Sequence, residues 1–111
     1  MEIIFYRTPA GREPVRKYLL SLPLRDRAAA ADVLDAIREQ GLNAPGVRFK
    51  QIKGKLWEFY VEGEASQRIF YVVVVGPMMV LLQSYKKEKN KAPIGEIKIA
   101  ERRMKEVLHE V

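Results

Sequence analysis

Three apolar runs decide the fold of this chain, and they read LWEFYV at residues 56–61, QRIFYVVVV at 67–75 and MVLLQSY at 79–85. Each run is rich in β-branched and aromatic residues, which favour strands. Turn-forming residues separate the runs at 62–66 and at Gly76-Pro77. Because strands joined by short turns pair side by side, the sequence predicts an antiparallel meander. The unbroken run Val72–Val75 predicts that the middle strand is central and shielded on both faces.

The segments around the meander predict further elements by their apolar spacing and their boundary residues. We expect a strand at Glu2–Arg7, helices at Arg12–Leu22 and Leu24–Gln40, a loop at Leu42–Val47 and a terminal helix at Ile94–Val111. This order of a strand, two helices, a three-stranded meander and a C-terminal helix makes the expected fold α+β. The sheet is expected to be small and antiparallel, with three or four strands and the helix at 24–40 packed on one face.

Composition limits the kinds of protein and of site that the chain can form. Its 111 residues predict one domain over 1–111, and a net charge of +6 favours polyanionic partners. The absence of cysteine excludes disulfides, zinc fingers and thiol nucleophiles, and a single histidine, His109, argues against a histidine-centred metal site. We therefore expect no metal and no cofactor. The chain begins without a signal peptide and contains no membrane-spanning run, so we expect a cytoplasmic protein without membrane contact.

Basic residues enter the meander at its beginning and at its end. The first group is Arg48, Lys50, Lys53 and Lys55, and the second, which follows Tyr85, is Lys86, Lys87, Lys89 and Lys91. On the structural interpretation, the first group lies on a solvated edge strand, where lysines discourage edge-to-edge pairing, and the second group lies in a solvated loop. The functional interpretation is a patch that binds phosphates, with Tyr85 stacking on a base or orienting a proton.

Arg68 opens the otherwise apolar middle strand, so a charge stands among hydrophobic residues. It either pairs with Glu58 or Glu62 of the neighbouring strand, or clamps a phosphate with its rigid guanidinium. Glu58 is interpreted as a structural partner of Arg68 rather than as a proton acceptor. Trp57, with apolar neighbours, is interpreted as core rather than as a platform for base stacking.

Lysine, arginine and tyrosine together suit the metal-free cleavage of RNA. The RNA supplies its own nucleophile, the 2′-hydroxyl, and the protein has to remove that proton, stabilise charge on the phosphorane and protonate the leaving 5′-oxygen. One lysine of the cluster is expected to act as the base, and arginine to stabilise the developing oxyanion. We therefore expect Lys55, Arg68 and Lys86 to lie on one face, within reach of a single phosphate.

Three ordered segments of the chain resemble the RelE/HigB superfamily of toxin–antitoxin toxins, in its phage-derived HigB-like branch. They are KLWEF at 55–59, RIFY at 68–71 and LLQSYKK at 81–87 with KAP at 91–93, followed by Glu96-Ile97 and Ala100 in the terminal helix. The resemblance covers roughly the last two-thirds of the chain. It implies a RelE-like fold and a ribosome-dependent mRNA endonuclease, neutralised by a helix-turn-helix (HigA-like) antitoxin.

The resemblance also implies roles for individual residues. Catalytic roles fall to Lys55, Arg68, Lys86 and Lys87. The remaining basic residues and the tyrosine are expected to bind RNA, namely Arg48, Lys50, Lys53, Tyr85, Lys89 and Lys91. The chain departs from the family pattern where Gln83 replaces a histidine, which excludes an imidazole acid, and where Tyr60 replaces an arginine.

Two other functions stay open at this point, because the same basic patch serves more than one purpose. One is a non-catalytic module that binds RNA or the ribosome and inhibits translation by occupancy. The other is a purely protein-binding subunit. RNA products with 2′,3′-cyclic phosphate ends would distinguish the enzyme from the non-catalytic module, and a neighbouring helix-turn-helix gene would argue against the protein-binding subunit.

Overall fold

Five strands and three α-helices make up residues 1–109, the part of the chain that the computed structural model describes. The strands are β1 (Glu2–Phe5), β2 (Phe49–Lys53), β3 (Leu56–Glu62), β4 (Ser66–Val74) and β5 (Met78–Lys86), and the helices are α1 (Pro14–Leu20), α2 (Leu24–Gln40) and α3 (Ile94–His109). A short 3₁₀ helix, Gly41–Asn43, follows α2. The predicted terminal helix includes residues 110–111, which lie outside the described part.

The strands form one sheet in the order β1-β5-β4-β3-β2. The predicted meander is confirmed, since β2, β3, β4 and β5 pair antiparallel in sequence order. The α+β class is also confirmed, but the sheet has five strands rather than three or four, and it is mixed rather than antiparallel throughout. The basic run forms the fifth strand, β2, and β1 pairs in parallel with β5. A parallel edge is possible because the two helices that follow β1 carry the chain to the far edge before β2 begins.

Helices cover both faces of the sheet, and each face has its own apolar core. The first core joins α1 and α2 to side chains that include Phe59, Ile69 and Leu81. The second joins α3 to side chains that include Phe70 and Leu82. Successive side chains of a strand point to opposite faces, so neighbouring residues of β4 and β5 enter different cores. The predicted packing of α2 on one face is confirmed.

The middle strand, β4, is central as predicted, but its doubly shielded part lies earlier than expected. Residues 67–72 are all buried, whereas the predicted run Val72–Val75 is buried only at its first residue. Val73 is 38% exposed and Val75 is 85% exposed. These two apolar residues therefore reach solvent toward the β4–β5 turn.

A buried carboxylate fixes the turn between β3 and β4 to α2. Asp26 is 4% exposed, and its Oδ1 accepts hydrogen bonds from the amides of Glu64 at 2.7 Å and Ala65 at 3.2 Å. A Cβ atom at Gly63 would lie 2.1 Å from that same oxygen. Glycine is therefore the residue that permits this close approach, and the turn at the start of β4 is held in place.

A β-bulge in β5 changes which side chains face α3. Phe70 pairs with Gln83 and Tyr71 pairs with Leu81, so Leu82 is an extra residue in β5. Arg103 of α3 donates one hydrogen bond to the Leu82 carbonyl and another to the Gln83 side chain, both at 2.8 Å. After the bulge, the residue opposite Arg68 is Tyr85. In a regular strand, residue 85 would share the face of residue 81, so the bulge places Tyr85 on the α3 face.

None of the helices within residues 1–109 is both long enough and apolar enough to span a membrane.

Candidate nucleic-acid interface

A groove opens where α3 leaves the sheet uncovered on its second face. It has a volume of about 360 Å³ and lies between the strands β2 to β5, the segment after β5 and the first turn of α3. We call it the basic groove, and its charged and aromatic lining consists of Lys50, Glu58, Tyr60, Arg68, Tyr85, Lys87, Lys89 and Lys91. Ile52, Ile94 and Ile97 supply apolar lining.

Strand register explains why these residues meet. Lys50 of β2 lies opposite Glu58 of β3, and Tyr60 of β3 lies opposite Arg68 of β4. Arg68 in turn lies opposite Tyr85 of β5. Residues that oppose one another in paired strands project on the same face, so four strands present polar side chains to one groove.

Arg68 is buried, with a side chain that is 5% exposed, and is held by several partners on the groove face. Its Nη1 lies 3.2 Å from Glu62 Oε1 and also donates to the Ser66 hydroxyl and to the Gln67 carbonyl. Its guanidinium carbon lies 3.7 Å from the centre of the Tyr60 ring. Of the two predicted ion-pair partners, Glu62 and not Glu58 forms the ion pair with Arg68.

Tyr60 gathers two cations around one ring. Arg48 lies 4.6 Å and Arg68 lies 3.7 Å from the ring centre, which is the geometry of cation–π contacts. The resemblance expects an arginine at this position. Tyr60 instead contacts two other arginines, so two cations meet here although the expected one is missing.

Glu58 and Tyr85 form a hydrogen-bonded pair at the floor of the groove. The Tyr85 hydroxyl donates to Glu58 Oε2 at 3.1 Å, and the Tyr85 ring stacks on Phe70 with 5.3 Å between ring centres. Burial raises the pKa of the Glu58 carboxyl, while the Tyr85 hydrogen bond and the cations Arg68, Lys50 and Lys87 oppose that rise. Burial, reinforced by Glu58, raises the pKa of the Tyr85 hydroxyl, which stays a donor.

Six of the ten predicted site residues line the basic groove, and they are Lys50, Arg68, Tyr85, Lys87, Lys89 and Lys91. Phe70 stacks on the Tyr85 ring and Tyr85 is only 8% exposed, so little of the ring is available for the predicted stacking with a base. Arg48 lies outside the lining but contacts Tyr60. Lys53 lies 3.5 Å from Glu101 of α3 in an ion pair.

The predicted convergence of Lys55, Arg68 and Lys86 is wrong for both lysines. Lys55 follows Gly54 in the β2–β3 turn and lines a separate apolar pocket with Trp57. Lys86 lies opposite Gln67, one residue out of step with the Arg68–Tyr85 pair, so it projects to the α1 and α2 face. The bulge at Leu82 is the reason, because it exchanges the faces of Lys86 and Lys87 relative to a regular strand.

Two other predictions concern Trp57 and Gln83. Trp57 is only partly buried: it packs against the core of the α1 and α2 face and also lines the apolar pocket beside Lys55, so it lies at the margin of the core. Gln83, which stands where the resemblance expects a histidine, donates to Glu96 of α3 at 2.7 Å and accepts from Arg103. Its side chain is therefore part of the contact between β5 and α3.

Sequence reasoning missed the contribution of Tyr60 and the place of Glu58 at the groove floor. The only signal in the sequence was a carboxylate in the middle of an otherwise apolar strand. Its partner, Tyr85, could not be identified, because the alternation of an unbroken strand assigns residue 85 to the other face.

A match to a protein-family model shows the family of this chain. Residues 17–105 match the family model described as Phage derived protein Gp49-like (DUF891), and this range contains every residue that lines the basic groove. No curated protein matches the chain. Because the family model matches well over half of the chain, the chain belongs to the phage-derived Gp49-like family, which is associated with toxin–antitoxin systems.

Proposed function

We propose that this chain is the toxin of a type II toxin–antitoxin system, a RelE/HigB-like endonuclease that cleaves mRNA on the ribosome. One observation carries the proposal: Arg68, Tyr85, Glu58 and four lysines from separate parts of the chain line the same groove. Binding RNA requires cations, and cleaving it requires groups that stabilise charge and move protons. The basic groove offers all three kinds of group within one site.

The charge of the groove favours an RNA backbone. Lys50, Lys87, Lys89 and Lys91 surround it, with Arg68 at its floor and Glu58 as the single acid in its lining within the described residues. Neutralising phosphates with lysine and arginine releases condensed counterions, which is the main source of affinity for a nucleic acid. Such binding is independent of sequence, and the ribosome would present the mRNA.

Arg68 is suited to meet the scissile phosphate. Its hydrogen bonds to residues 1–109 all use Nη1. Every fully buried side-chain nitrogen or oxygen of that part of the chain has a hydrogen-bond partner, so Nε and Nη2 reach solvent. Arg68 lines the groove with a side chain that is 5% exposed, so these donors offer a small, fixed edge to a phosphate, and a charge that meets developing negative charge lowers the barrier.

The reaction that fits these groups uses the RNA itself as nucleophile. The 2′-hydroxyl loses its proton, its oxygen bonds to phosphorus, the bond from phosphorus to the 5′-oxygen breaks, and the leaving oxygen gains a proton. The products are a 2′,3′-cyclic phosphate and a 5′-hydroxyl. Arg68 would stabilise the phosphorane, and a groove lysine such as Lys50 or Lys87 would donate the proton to the leaving oxygen.

The association of the family with toxin–antitoxin systems supports an antitoxin as the second partner. The resemblance to the RelE/HigB superfamily favours an antitoxin of the helix-turn-helix type. Co-expression with such a partner is expected to restore growth that the chain alone arrests.

The decisive test is cleavage of mRNA in a purified translation reaction. The unmodified chain is expected to yield fragments with 2′,3′-cyclic phosphate ends. Arg68→Ala is expected to slow single-turnover cleavage by about 10²–10³-fold, the usual loss when one group that meets transition-state charge is removed. Arg68→Lys should recover only part, because an ammonium cannot reproduce the fork of donors. Arg38→Ala, which removes an exposed arginine of α2, is the matched control.

Ribosome co-sedimentation and thermal unfolding of each variant separate chemistry from docking and folding. Because docking is spread over several cations, Arg68→Ala should weaken it far less than it slows cleavage. Equal losses of cleavage and docking would make Arg68 a docking residue. Tight ribosome binding without any cleavage by the unmodified chain would instead support the non-catalytic module.

A further inference from the structure

Glu58 occupies an unusual place for a carboxylate. It is 3% exposed, in the middle of β3, and it is the one acid that lines the basic groove within the described residues. The ion pair of Arg68 is formed with Glu62, and none within residues 1–109 involves Glu58. Burying a carboxylate without an ion-pair partner costs folding free energy. The position of Glu58 is therefore better explained by a functional role than by stability.

The hydrogen bonding of Glu58 leaves one oxygen free to act. Oε2 accepts from the Tyr85 hydroxyl at 3.1 Å, while no hydrogen bond to Oε1 occurs within residues 1–109. Fully buried side-chain oxygens of that part of the chain all have partners, so Oε1 reaches solvent. Since Glu58 lines the basic groove, the solvent it reaches is in that groove.

We propose that Glu58 is the group that accepts the proton of the RNA 2′-hydroxyl, and that Tyr85 positions its carboxylate. This inference rests on the proposed endonuclease function and names its base. Glu58 takes the proton as the 2′-oxygen bonds to phosphorus, the bond to the 5′-oxygen breaks, and a groove lysine gives its proton to that leaving oxygen. Exchange with water then returns Glu58 and the lysine to their starting forms, so atoms and charges balance.

The surroundings of Glu58 favour this role over a lysine base. Two of the three lysines that were expected to be catalytic, Lys55 and Lys86, do not line the groove. The groups that face Glu58 are Lys50 of β2, Arg68 of β4, Tyr85 of β5 and Lys87 just after β5, and α3 contributes the apolar Ile94 and Ile97 to the same groove. Burial outweighs the cations and raises the pKa of Glu58, which brings a carboxylate closer to the pH at which a base is efficient.

Tyr85 has a separate, measurable effect in this arrangement. Its hydrogen bond stabilises the charged form of Glu58 and so opposes the rise in the carboxyl pKa. Removing the hydroxyl would raise that pKa further. Because the base acts only when deprotonated, the rate of cleavage should rise with pH through the Glu58 pKa, and loss of the Tyr85 hydroxyl should move that rise to higher pH.

The experiment measures single-turnover cleavage of ribosome-bound mRNA against pH for the unmodified chain, Glu58→Gln, Tyr85→Phe and Asp35→Asn. Glutamine keeps the shape of Glu58 and can still accept the Tyr85 hydrogen bond, but it cannot take a proton. We expect Glu58→Gln to lower the rate by about 10²–10⁴-fold, the usual range for general-base catalysis, and to abolish the rise with pH. Tyr85→Phe should keep that rise and shift it to higher pH. Asp35→Asn, the same carboxylate-to-amide change on exposed α2, should match the unmodified chain.

The outcomes separate this inference from the proposed function. An unmodified chain that cleaves, with a Glu58→Gln variant that cleaves within about threefold of it, overturns the role of Glu58 and leaves the endonuclease in place. An unmodified chain that never cleaves overturns both. If Glu58→Gln fails to fold in a thermal melt, Tyr85→Phe decides, and an unshifted pH profile for that variant counts against the inference.

Discussion

The two faces of the sheet differ in what their buried residues are. On the face that α1 and α2 cover, side chains such as Phe59, Val61, Ile69 and Leu81 are almost wholly shielded and apolar. On the face of α3, apolar residues such as Phe70 share the surface with Glu58 and Arg68, which are buried as well. The first face supplies stability mainly from apolar burial, with the hydrogen-bonded carboxylate of Asp26 as its buried charge, whereas the second carries charges within the sheet whose burial costs free energy.

This contrast indicates how a small chain combines a stable fold with a reactive site. The central strand, β4, serves both faces, because alternate residues enter the core and the groove. Arg68 is therefore held by the same backbone that the opposite core makes rigid. Asp26 adds a second constraint, since it fixes the turn from which β4 starts.

The largest effect that tests this contrast is on stability. Phe59→Ala removes a fully buried ring of the first face and is expected to lower the free energy of unfolding by about 3–5 kcal/mol. Its neighbour Tyr60 faces the groove and is only half-buried, so Tyr60→Ala should cost clearly less. Chemical denaturation of both variants measures the difference, and equal losses would mean that the two faces contribute alike.

A smaller effect concerns RNA binding by two neighbouring lysines. Lys87 lines the groove, while Lys86 projects to the other face. For a single-stranded oligoribonucleotide, Lys87→Ala should reduce the slope of log K against log salt by about 0.7, the share of one phosphate contact. Lys86→Ala should leave the slope unchanged. A larger loss for Lys86→Ala than for Lys87→Ala would contradict the assignment of the groove to the α3 face.

The smallest effect is the pH dependence of stability at Glu58. The folded-state pKa of this carboxyl is raised, so its contribution to stability is fully present below its unfolded pKa and is lost as pH rises through the folded value. Glutamine does not titrate and avoids that loss. The free energy of unfolding of Glu58→Gln, relative to that of the unmodified chain, should therefore be higher at neutral pH than at acidic pH. Denaturant unfolding of the two proteins at each pH measures this difference. If the relative stability of Glu58→Gln instead falls as the pH rises, the folded-state pKa of Glu58 is not raised.

Much of the fold could be predicted from the sequence because its signals are local. The apolar runs, the turn residues and Pro23 define the meander and the two helices without reference to distant parts of the chain. The parallel pairing of β1 with β5 could not be predicted in this way. It depends on where the helical segment returns the chain to the sheet, which periodicity does not encode.

The candidate site was predicted less completely than the fold. Arg68 and the lysines after β5 could be identified by charge in an apolar context, and six of the ten predicted residues line the groove. Lys86 was assigned to the wrong face because alternation was counted through Leu82 as if the strand were regular. The roles of Glu58 and Tyr85 depend on a cross-strand hydrogen bond between residues 27 apart in sequence, which no local pattern contains.

The bulge at Leu82 also affects how this strand should be aligned with those of related chains. Leu81 and Tyr85 are four residues apart yet face opposite sides of the sheet, and the extra residue accounts for the difference. A relative that lacks Leu82 would keep its tyrosine in the groove with one residue fewer, so a one-residue gap in this strand is compatible with the same site. An alignment without that gap would match the residues of β5 that face the groove with residues that face the opposite core. Arg103 donates a hydrogen bond to the carbonyl of Leu82 at the bulge. A related chain that lacks both Leu82 and this arginine is therefore expected to have a regular β5 strand.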